Sequence, residues 1–306
     1  MPTPWTTARR WWPCRRSRPP WWPRPRPPAP WWRLWLPERA RRRSGAARLT
    51  FRSVLTAAVW GLIQGLTEFL PISSSGHLVL VPAIFGFDAP GLAASVMLHV
   101  GTLLAVVAYY RRDLLKLLHL RSDPEARRIL LLLAVGTIPA AIIGLTLDGP
   151  IEAIFSEPWL AAVALMVTGV VLLFAMLVGR GLRRLPEGRW TDGLVVGLAQ
   201  AFALLPGISR SGMTITAGMA QGFSRAEAAR FAFLLSIPAI GGAALLDGID
   251  LARAGGFSWD LVVGMAVAAV VGYLAIAVLL RILLRVGLLP FALYCLAAGA
   301  TAYLLV

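Results

Sequence analysis

Residues 64–77 of the chain read QGLTEFLPISSSGH. This stretch places a carboxylate, three serines and a histidine inside a segment that is otherwise apolar. Ionisable groups are costly at membrane depth and usually mark a functional site there. Proline also interrupts a helix, because it lacks an amide proton and clashes with the preceding turn. The stretch therefore predicts a broken membrane helix whose loop carries functional side chains.

The composition of the chain predicts an all-α polytopic membrane protein. Of its 306 residues, 58% are hydrophobic and 15% are charged, whereas about a quarter of the residues of a soluble domain are charged. Six apolar segments approach the roughly 20 residues that a membrane-spanning helix needs. They lie at about 92–110, 129–147, 158–179, 228–247, 259–280 and 287–306.

Two further apolar regions, about 53–87 and 191–223, are interrupted by the motifs LPISSSGH and LPGISRSG. Irregular backbone persists at membrane depth only where protein or a water-filled cavity surrounds it. Both regions are therefore interpreted as re-entrant helix hairpins.

The charges of the loops predict the orientation of the chain. Segments 111–128, 180–189 and 281–285 are basic, whereas 148–158 and 247–260 are net acidic. Basic loops lie on the cytoplasmic side of a membrane. We therefore expect the first hairpin to begin and end outside, and the second to begin and end inside.

The two broken regions are also related in sequence. At an offset of 136 residues, GLIQGLTEFLPISSSG (61–76) aligns with GLAQAFALLPGISRSG (197–212), and seven positions are identical. We expect an inverted-topology repeat with halves at about 53–179 and 191–306, each one re-entrant helix hairpin plus three transmembrane helices. Inverted repeats place their sites near the midplane of the membrane, so the two polar loops should converge on one pocket.

Residues 1–50 differ from this membrane domain, 51–306. They hold 13 arginines and one glutamate among many Pro and Trp residues, a low-complexity composition that predicts a disordered tail. The tail is either an interfacial arm for anionic head groups or an upstream stretch outside the working protein, which would imply a non-native start. Since most of the net charge of +15 lies in it, no nucleic-acid partner is expected.

Gln64 and Glu68 are four residues apart, so they share one face of a helix. A carboxylate with an amide oxygen can hold a divalent cation such as Mg²⁺ or Ca²⁺ beside substrate phosphates. Glu68 could equally act as a general base, and Gln64 could serve helix packing alone.

The loop that follows carries Ser73, Ser74 and Ser75, which could bind phosphate, supply a nucleophile or cap exposed backbone amides. His77 could polarise a nucleophile or donate to phosphate. A lone histidine in a membrane helix is more often a packing group, and His99 is interpreted as one.

Arg210 lies between Ser209 and Ser211, with Thr214 one turn later. An arginine in the middle of a membrane costs roughly 2.5–3.5 kcal/mol on insertion scales. Its planar guanidinium suits two-point contact with phosphate. It could also form an ion pair with Glu68, and both roles are compatible with a pocket that binds a phosphate.

The motifs QGLTEFLPISSSGH and PGISRSGMT resemble the two signature motifs of the undecaprenyl-diphosphate phosphatases, the bacitracin-resistance family. The layout from about residue 50 to 306 also fits that family. The resemblance implies hydrolysis of undecaprenyl diphosphate to undecaprenyl phosphate and inorganic phosphate, which recycles the lipid carrier for cell-wall synthesis and confers bacitracin resistance. It implies a multi-pass protein of the bacterial cytoplasmic membrane, in contact with membrane lipids, whose active site faces the outer side.

The resemblance also implies roles for single residues. The expected catalytic residues are Glu68, Ser74, His77 and Arg210. The expected phosphate-binding residues are Ser73, Ser209, Ser211 and Thr214. Gln64 stands where many relatives have Glu, and it is expected to hold a divalent cation together with Glu68. Ser74 is the expected nucleophile, with Glu68 or His77 as base, and direct attack by water is the alternative.

A rival function also fits the predicted architecture. Inverted repeats with broken helices are common in secondary transporters, so a polyprenyl-phosphate flippase or transporter could use the same site. An ion channel would need a ring of charges or carbonyls along a pore, and the sequence does not indicate one.

Overall fold

The computed structural model describes residues 51–147, 151, 157–178, 181–254 and 258–306. The predictions for residues 1–50, and most of those for the acidic segment 148–158, lie outside these ranges. Within them the fold is helical and contains no β-strand. The helices are α1 (Phe51–Phe69), α2 (Ser74–Phe85), α3 (Leu92–Tyr109), α4 (Arg111–Leu117), α5 (Pro124–Thr146), α6 (Pro158–Val178), α7 (Trp190–Phe202), α8 (Arg210–Ala220), α9 (Arg225–Ala254), α10 (Trp259–Arg285) and α11 (Leu289–Leu305).

The membrane-spanning character of the fold agrees with the composition. In the described part of the chain, five helices are long and apolar enough to cross a membrane, and they are α3, α5, α6, α9 and α10. The sixth predicted span, 287–306, corresponds to α11, a shorter apolar helix of 17 residues.

Both predicted helix breaks are present. α1 ends just before Pro71, and α2 begins at Ser74 after Ser73, whose φ of 67° is left-handed. The second break separates α7 from α8 and contains Gly207, whose φ is 91°. A residue before proline is disfavoured in the helical region, and the left-handed conformation is open to glycine at little cost. The sequences at the two breaks therefore end the helices where the polar motifs lie.

Two segments are more helical than expected. The basic segment 111–128 contains the short helix α4, and α9 runs for 30 residues to Ala254, into the predicted loop 247–260. The added part of α9 reads DGIDLARA, which has no proline and several strong helix formers. The charges that mark a loop in a membrane protein thus do not prevent a helix from continuing beyond the apolar region.

The broken helices pack across the predicted halves of the chain. α1 packs along α10, and α7 packs along α5. The third predicted spans of the two halves, α6 in the first and α11 in the second, also pack on each other. Glycines permit this close approach: a Cβ on Gly61 would lie 2.4 Å from the Gly264 carbonyl oxygen, and one on Gly197 would lie 2.6 Å from that of Gly136. Small residues at helix interfaces let membrane helices approach closely.

We predict that Gly61→Ala destabilises the fold by about 1–3 kcal/mol, because the added methyl group forces α1 away from α10. The matched control is Gly242→Ala in α9, where a Cβ would meet nothing within 4 Å. That change should leave stability unaltered or raise it by up to about 1 kcal/mol through helix propensity. Thermal unfolding in detergent measures both, and equal melting temperatures for the two variants would contradict the close packing.

Candidate functional site

The two polar loops are in direct contact, as the sequence predicts. The Ser73 hydroxyl donates to the Ile208 carbonyl oxygen at 3.4 Å, and the Ser211 hydroxyl donates to that of Leu70 at 3.2 Å. Each loop therefore receives a hydrogen bond from a serine of the other.

Equivalent serines cap the helices that follow the two loops. Ser73 accepts from the Gly76 amide at 3.2 Å, and Ser209 accepts from the Gly212 amide at 3.1 Å. Each capping hydroxyl also lies 3.2–3.3 Å from that of the serine two residues later. Ser73 therefore caps α2, which is one of the alternatives that the sequence leaves open for it, and Ser209 caps α8 in the same way. Because both caps lie where the two loops touch, the N-termini of α2 and α8 point to that contact, and the first amides of a helix attract anions.

Glu68 lies at the centre of the site, at the end of α1. Its side chain is 4% exposed. One carboxylate oxygen, Oε2, accepts from Gln64 Nε2 at 3.0 Å and from the Ser74 hydroxyl at 2.5 Å. The other, Oε1, lies 3.8 Å from Nη2 of Arg210. Buried charge is tolerated when it is paired and hydrogen-bonded, and Glu68 has both kinds of partner.

Arg210 is the first residue of α8, and its guanidinium is only partly satisfied. Nη2 forms the long ion pair with Glu68, while Nη1 is buried and has no hydrogen-bond partner among the described residues. Leaving a buried charged donor unpaired is expensive. Arginine also makes its strongest contacts with carboxylate and phosphate. Arg210 can therefore accept an anionic ligand while it keeps its attraction to Glu68.

His77 is hydrogen-bonded through both ring nitrogens. Nδ1 donates to the Ser73 carbonyl oxygen at 2.8 Å, and Nε2 lies 2.7 Å from the Tyr294 hydroxyl. A carbonyl only accepts, so Nδ1 carries a proton, and in the neutral imidazole Nε2 accepts from the tyrosine. Ser74 donates to Glu68 instead. Of the two bases that the sequence leaves open for Ser74, the geometry favours Glu68.

His99 belongs to the site, although its place in an apolar span predicts a packing group. Its Nδ1 donates to the Ser95 carbonyl oxygen at 2.8 Å, and its Nε2 lies 3.9 Å from Oε2 of Glu68. α3 packs against α1, and this tertiary contact brings the imidazole to the carboxylate. The sequence signal was its ionisable character inside an apolar span. Tyr294, in α11, carried no such signal.

Two buried threonines support the second loop and the start of α8. The Thr168 hydroxyl, on α6, donates to the Gly207 carbonyl oxygen at 3.0 Å and accepts from the Ser209 amide at 3.0 Å. The Thr214 hydroxyl is buried and donates to the Arg210 carbonyl oxygen at 2.8 Å. Thr168 therefore fixes the second loop. Thr214 stabilises the first turn of α8, and its expected contact with phosphate stays a prediction.

The residues at Glu68 fit a divalent cation that substrate helps to bind. Gln64 is fully buried, and its Oε1 has no hydrogen-bond partner in the part of the chain that the structure describes. One carboxylate and one amide oxygen suit Mg²⁺, which often binds one or two carboxylates together with substrate phosphates. Among the described residues, no group of three or more His, Cys, Asp and Glu side chains could hold a metal ion. A cation here would depend on oxygens of the substrate.

Comparison with known proteins identifies similar sequences. The family described as bacitracin resistance protein BacA matches residues 57–301. Curated undecaprenyl-diphosphatases from Geobacter metallireducens, Geobacter sulfurreducens and Thermomicrobium roseum are 45%, 46% and 45% identical over 263, 264 and 273 residues. These alignments cover 82%, 82% and 83% of this chain and 98% of each relative. The matched range contains both polar loops.

We predict that Thr168→Val lowers the free energy of unfolding by about 1–3 kcal/mol, because it leaves buried backbone groups of Gly207 and Ser209 unpaired. Thr168→Ser should restore most of the loss. Thr146→Val is the matched control, since the Thr146 hydroxyl bonds to its own helix at an exposed position. Thermal unfolding in detergent compares the three variants. If Thr168→Val and Thr146→Val melt together, Thr168 does not anchor the loop.

Proposed function

Since the chain belongs to the bacitracin resistance protein BacA family, we propose that it hydrolyses undecaprenyl diphosphate to undecaprenyl phosphate and inorganic phosphate. The curated relatives are named for this activity, and the alignment with this chain covers nearly their whole length. The reaction recycles the lipid carrier for cell-wall synthesis and confers bacitracin resistance. The observation that carries the proposal is the buried Nη1 of Arg210, which has no hydrogen-bond partner in the described part of the chain and lies beside Glu68 and Ser74, where two helix N-termini meet.

The architecture that we propose is an inverted-topology repeat with two re-entrant hairpins. Three features support it: the helices after the two loops start 136 residues apart, their capping serines make equivalent bonds, and each broken helix packs on a helix of the other half. The basic segments 111–128 and 180–189 support a cytoplasmic position for those two loops. The membership of the family supports a place in the bacterial cytoplasmic membrane and a site open to the outer side.

Substrate binding follows from charge. The terminal phosphate of the diphosphate meets the amides at the start of α2 and α8 and Nη1 of Arg210, to which no described residue offers a hydrogen bond. Ser211 lies next to this phosphate position, because its hydroxyl donates to the Leu70 carbonyl oxygen of the first loop. Fixed donors in a water-excluded site stabilise the charge that develops during phosphoryl transfer.

The nucleophile that the geometry supports is Ser74. Its proton already points to Glu68 Oε2, so Glu68 takes that proton as the serine oxygen bonds to the terminal phosphorus. The bond from phosphorus to the bridging oxygen breaks, and undecaprenyl phosphate leaves. Glu68 gives that proton to the departing phosphate, and the restored carboxylate then takes a proton from water, which attacks the phosphoserine. The bond from phosphorus to the serine oxygen breaks, the serine oxygen takes the proton back from Glu68, and inorganic phosphate is released. In the alternative route, water attacks directly and Ser74 orients it.

The remaining side chains hold this arrangement. Gln64 donates to Glu68 and, with it, would hold Mg²⁺ or Ca²⁺. When bound, the cation offsets charge on the departing phosphate. His77 keeps the first loop in place through the Ser73 carbonyl, and His99 places an imidazole nitrogen 3.9 Å from Oε2 of the carboxylate.

The rival function is a polyprenyl-phosphate flippase or secondary transporter with the same site. The proposed repeat is compatible with it. A carrier, however, needs to bind and release its cargo without chemistry. A serine that donates to a buried carboxylate next to an arginine is the arrangement of a nucleophile and its base, which favours the enzyme.

We predict that Arg210→Ala and Glu68→Ala each lower kcat/KM for phosphate release by about 10²–10³-fold, since each removes charge stabilisation or the base. Arg210→Lys should recover part of the loss, and the exposed Arg111→Ala should behave like the parent. The measurement is phosphate release from undecaprenyl diphosphate, with a chelator and with added Mg²⁺ or Ca²⁺. Binding of the lipid without release in any of these conditions would favour the carrier. Equal rates with chelator and with cation would remove the metal from the proposal.

A second prediction separates the two routes of attack. Ser74→Ala should lower kcat by about 10³-fold or more, as expected when a nucleophile is lost, and quenched parent enzyme should carry phosphate on Ser74. His77→Gln should reduce activity less, because His77 does not contact the Ser74 hydroxyl. Retention of most activity by Ser74→Ala, with no phosphoserine in the parent, would establish attack by water.

A further inference from the structure

A groove lies beside the polar loops, between α1, α2 and α11. Its volume is about 470 Å³, within the usual 300–1,000 Å³ range of ligand pockets. The walls are almost entirely apolar and include Ile63, Leu66, Val81, Pro290 and Phe291.

The groove is continuous with the site already described. His77, which bonds to the Ser73 carbonyl oxygen of the first loop, lines it, and so does Thr67, the neighbour of Glu68. Tyr294 lines it from α11, with its ring stacked on that of His77 at 5.8 Å between centroids and its hydroxyl bonded to Nε2. The hydrogen-bonded pair therefore stands where apolar walls give way to polar loops.

This arrangement matches one chemical class of ligand: a branched hydrocarbon chain attached to a diphosphate. Branched aliphatic walls complement isoprene units through burial of apolar surface, whereas the loops complement the head group. A lipid-facing surface is apolar everywhere, but only a concave one that opens onto the phosphate site can hold both parts of one molecule.

We propose that this groove seats the isoprene units nearest the diphosphate, and that the His77–Tyr294 pair marks the junction between chain and head group. The proposal rests on the phosphatase function proposed above. It assigns a binding role to Ile63 of α1 and to Pro290, Phe291 and Tyr294 of α11, none of which belongs to the two sequence motifs.

The test is to fill the groove. Leu66 lines it and is 41% exposed, so Leu66→Trp should obstruct it without disturbing the interior. Leu198→Trp is the matched control: this leucine is 53% exposed on α7, the corresponding helix of the other half. With undecaprenyl diphosphate in lipid nanodiscs, we expect Leu66→Trp to raise KM about tenfold, the scale of one poorly accommodated group in an apolar pocket. kcat should stay near that of the parent, because the chemistry is untouched. Leu198→Trp should match the parent in both constants.

A second measurement does not depend on the variants. Undecaprenyl diphosphate with a photoactivatable diazirine on its first isoprene unit should label α1, α2 or α11 of the parent protein. Labelling confined to other helices, or equal KM values for the two tryptophan variants, would overturn the proposal and leave the groove to membrane lipids. Absence of phosphate release by the parent would instead defeat the phosphatase function, while the labelling would still report where the chain lies.

Discussion

The site depends on one electrostatic constraint: a carboxylate and a guanidinium are held inside a bundle of apolar helices. Glu68 and Arg210 come from different halves of the chain and lie 3.8 Å apart. At that distance the pair reduces the cost of burying either charge, but it does not satisfy the donors of the arginine. The remaining partners of Glu68 are neutral or histidine side chains. The result is a pocket that is stable by itself and still able to bind an anion.

The broken helices are the means by which the chain meets that constraint. An unbroken helix would direct its first amides to the membrane surface. A helix that starts again inside the bundle directs them to the interior. The capping serines Ser73 and Ser209 satisfy one amide each and leave others for a ligand. The same motif thus ends one helix, begins the next and forms an anion site.

Much of this was predictable because the signals are local. Apolar length predicts the spans, and proline and glycine predict the breaks between α1 and α2 and between α7 and α8. The matching motifs predict that the two loops meet. The contributions of Thr168 and Tyr294 were not predictable, because each reaches the site through tertiary packing of a helix that has no motif of its own. His99 carried only the general signal of an ionisable side chain inside an apolar span, which does not name its partner. The continuation of α9 was missed for a different reason: hydropathy reports where the apolar region ends, whereas helix propensity decides where the helix ends.

The packing of each broken helix on the opposite half has a consequence for synthesis. α1 rests on α10, which follows it by most of the length of the protein. Membrane helices insert in the order in which the ribosome makes them, so α1 and α2 must enter the bilayer before their partner exists. Contacts between residues so distant in sequence are slow to form. During that interval Glu68 lacks Arg210, and the polar loop needs water, lipid head groups or an insertion factor to solvate it. Insertion of the second half is therefore also the step that gives α1 its packing partner and Glu68 its ion pair.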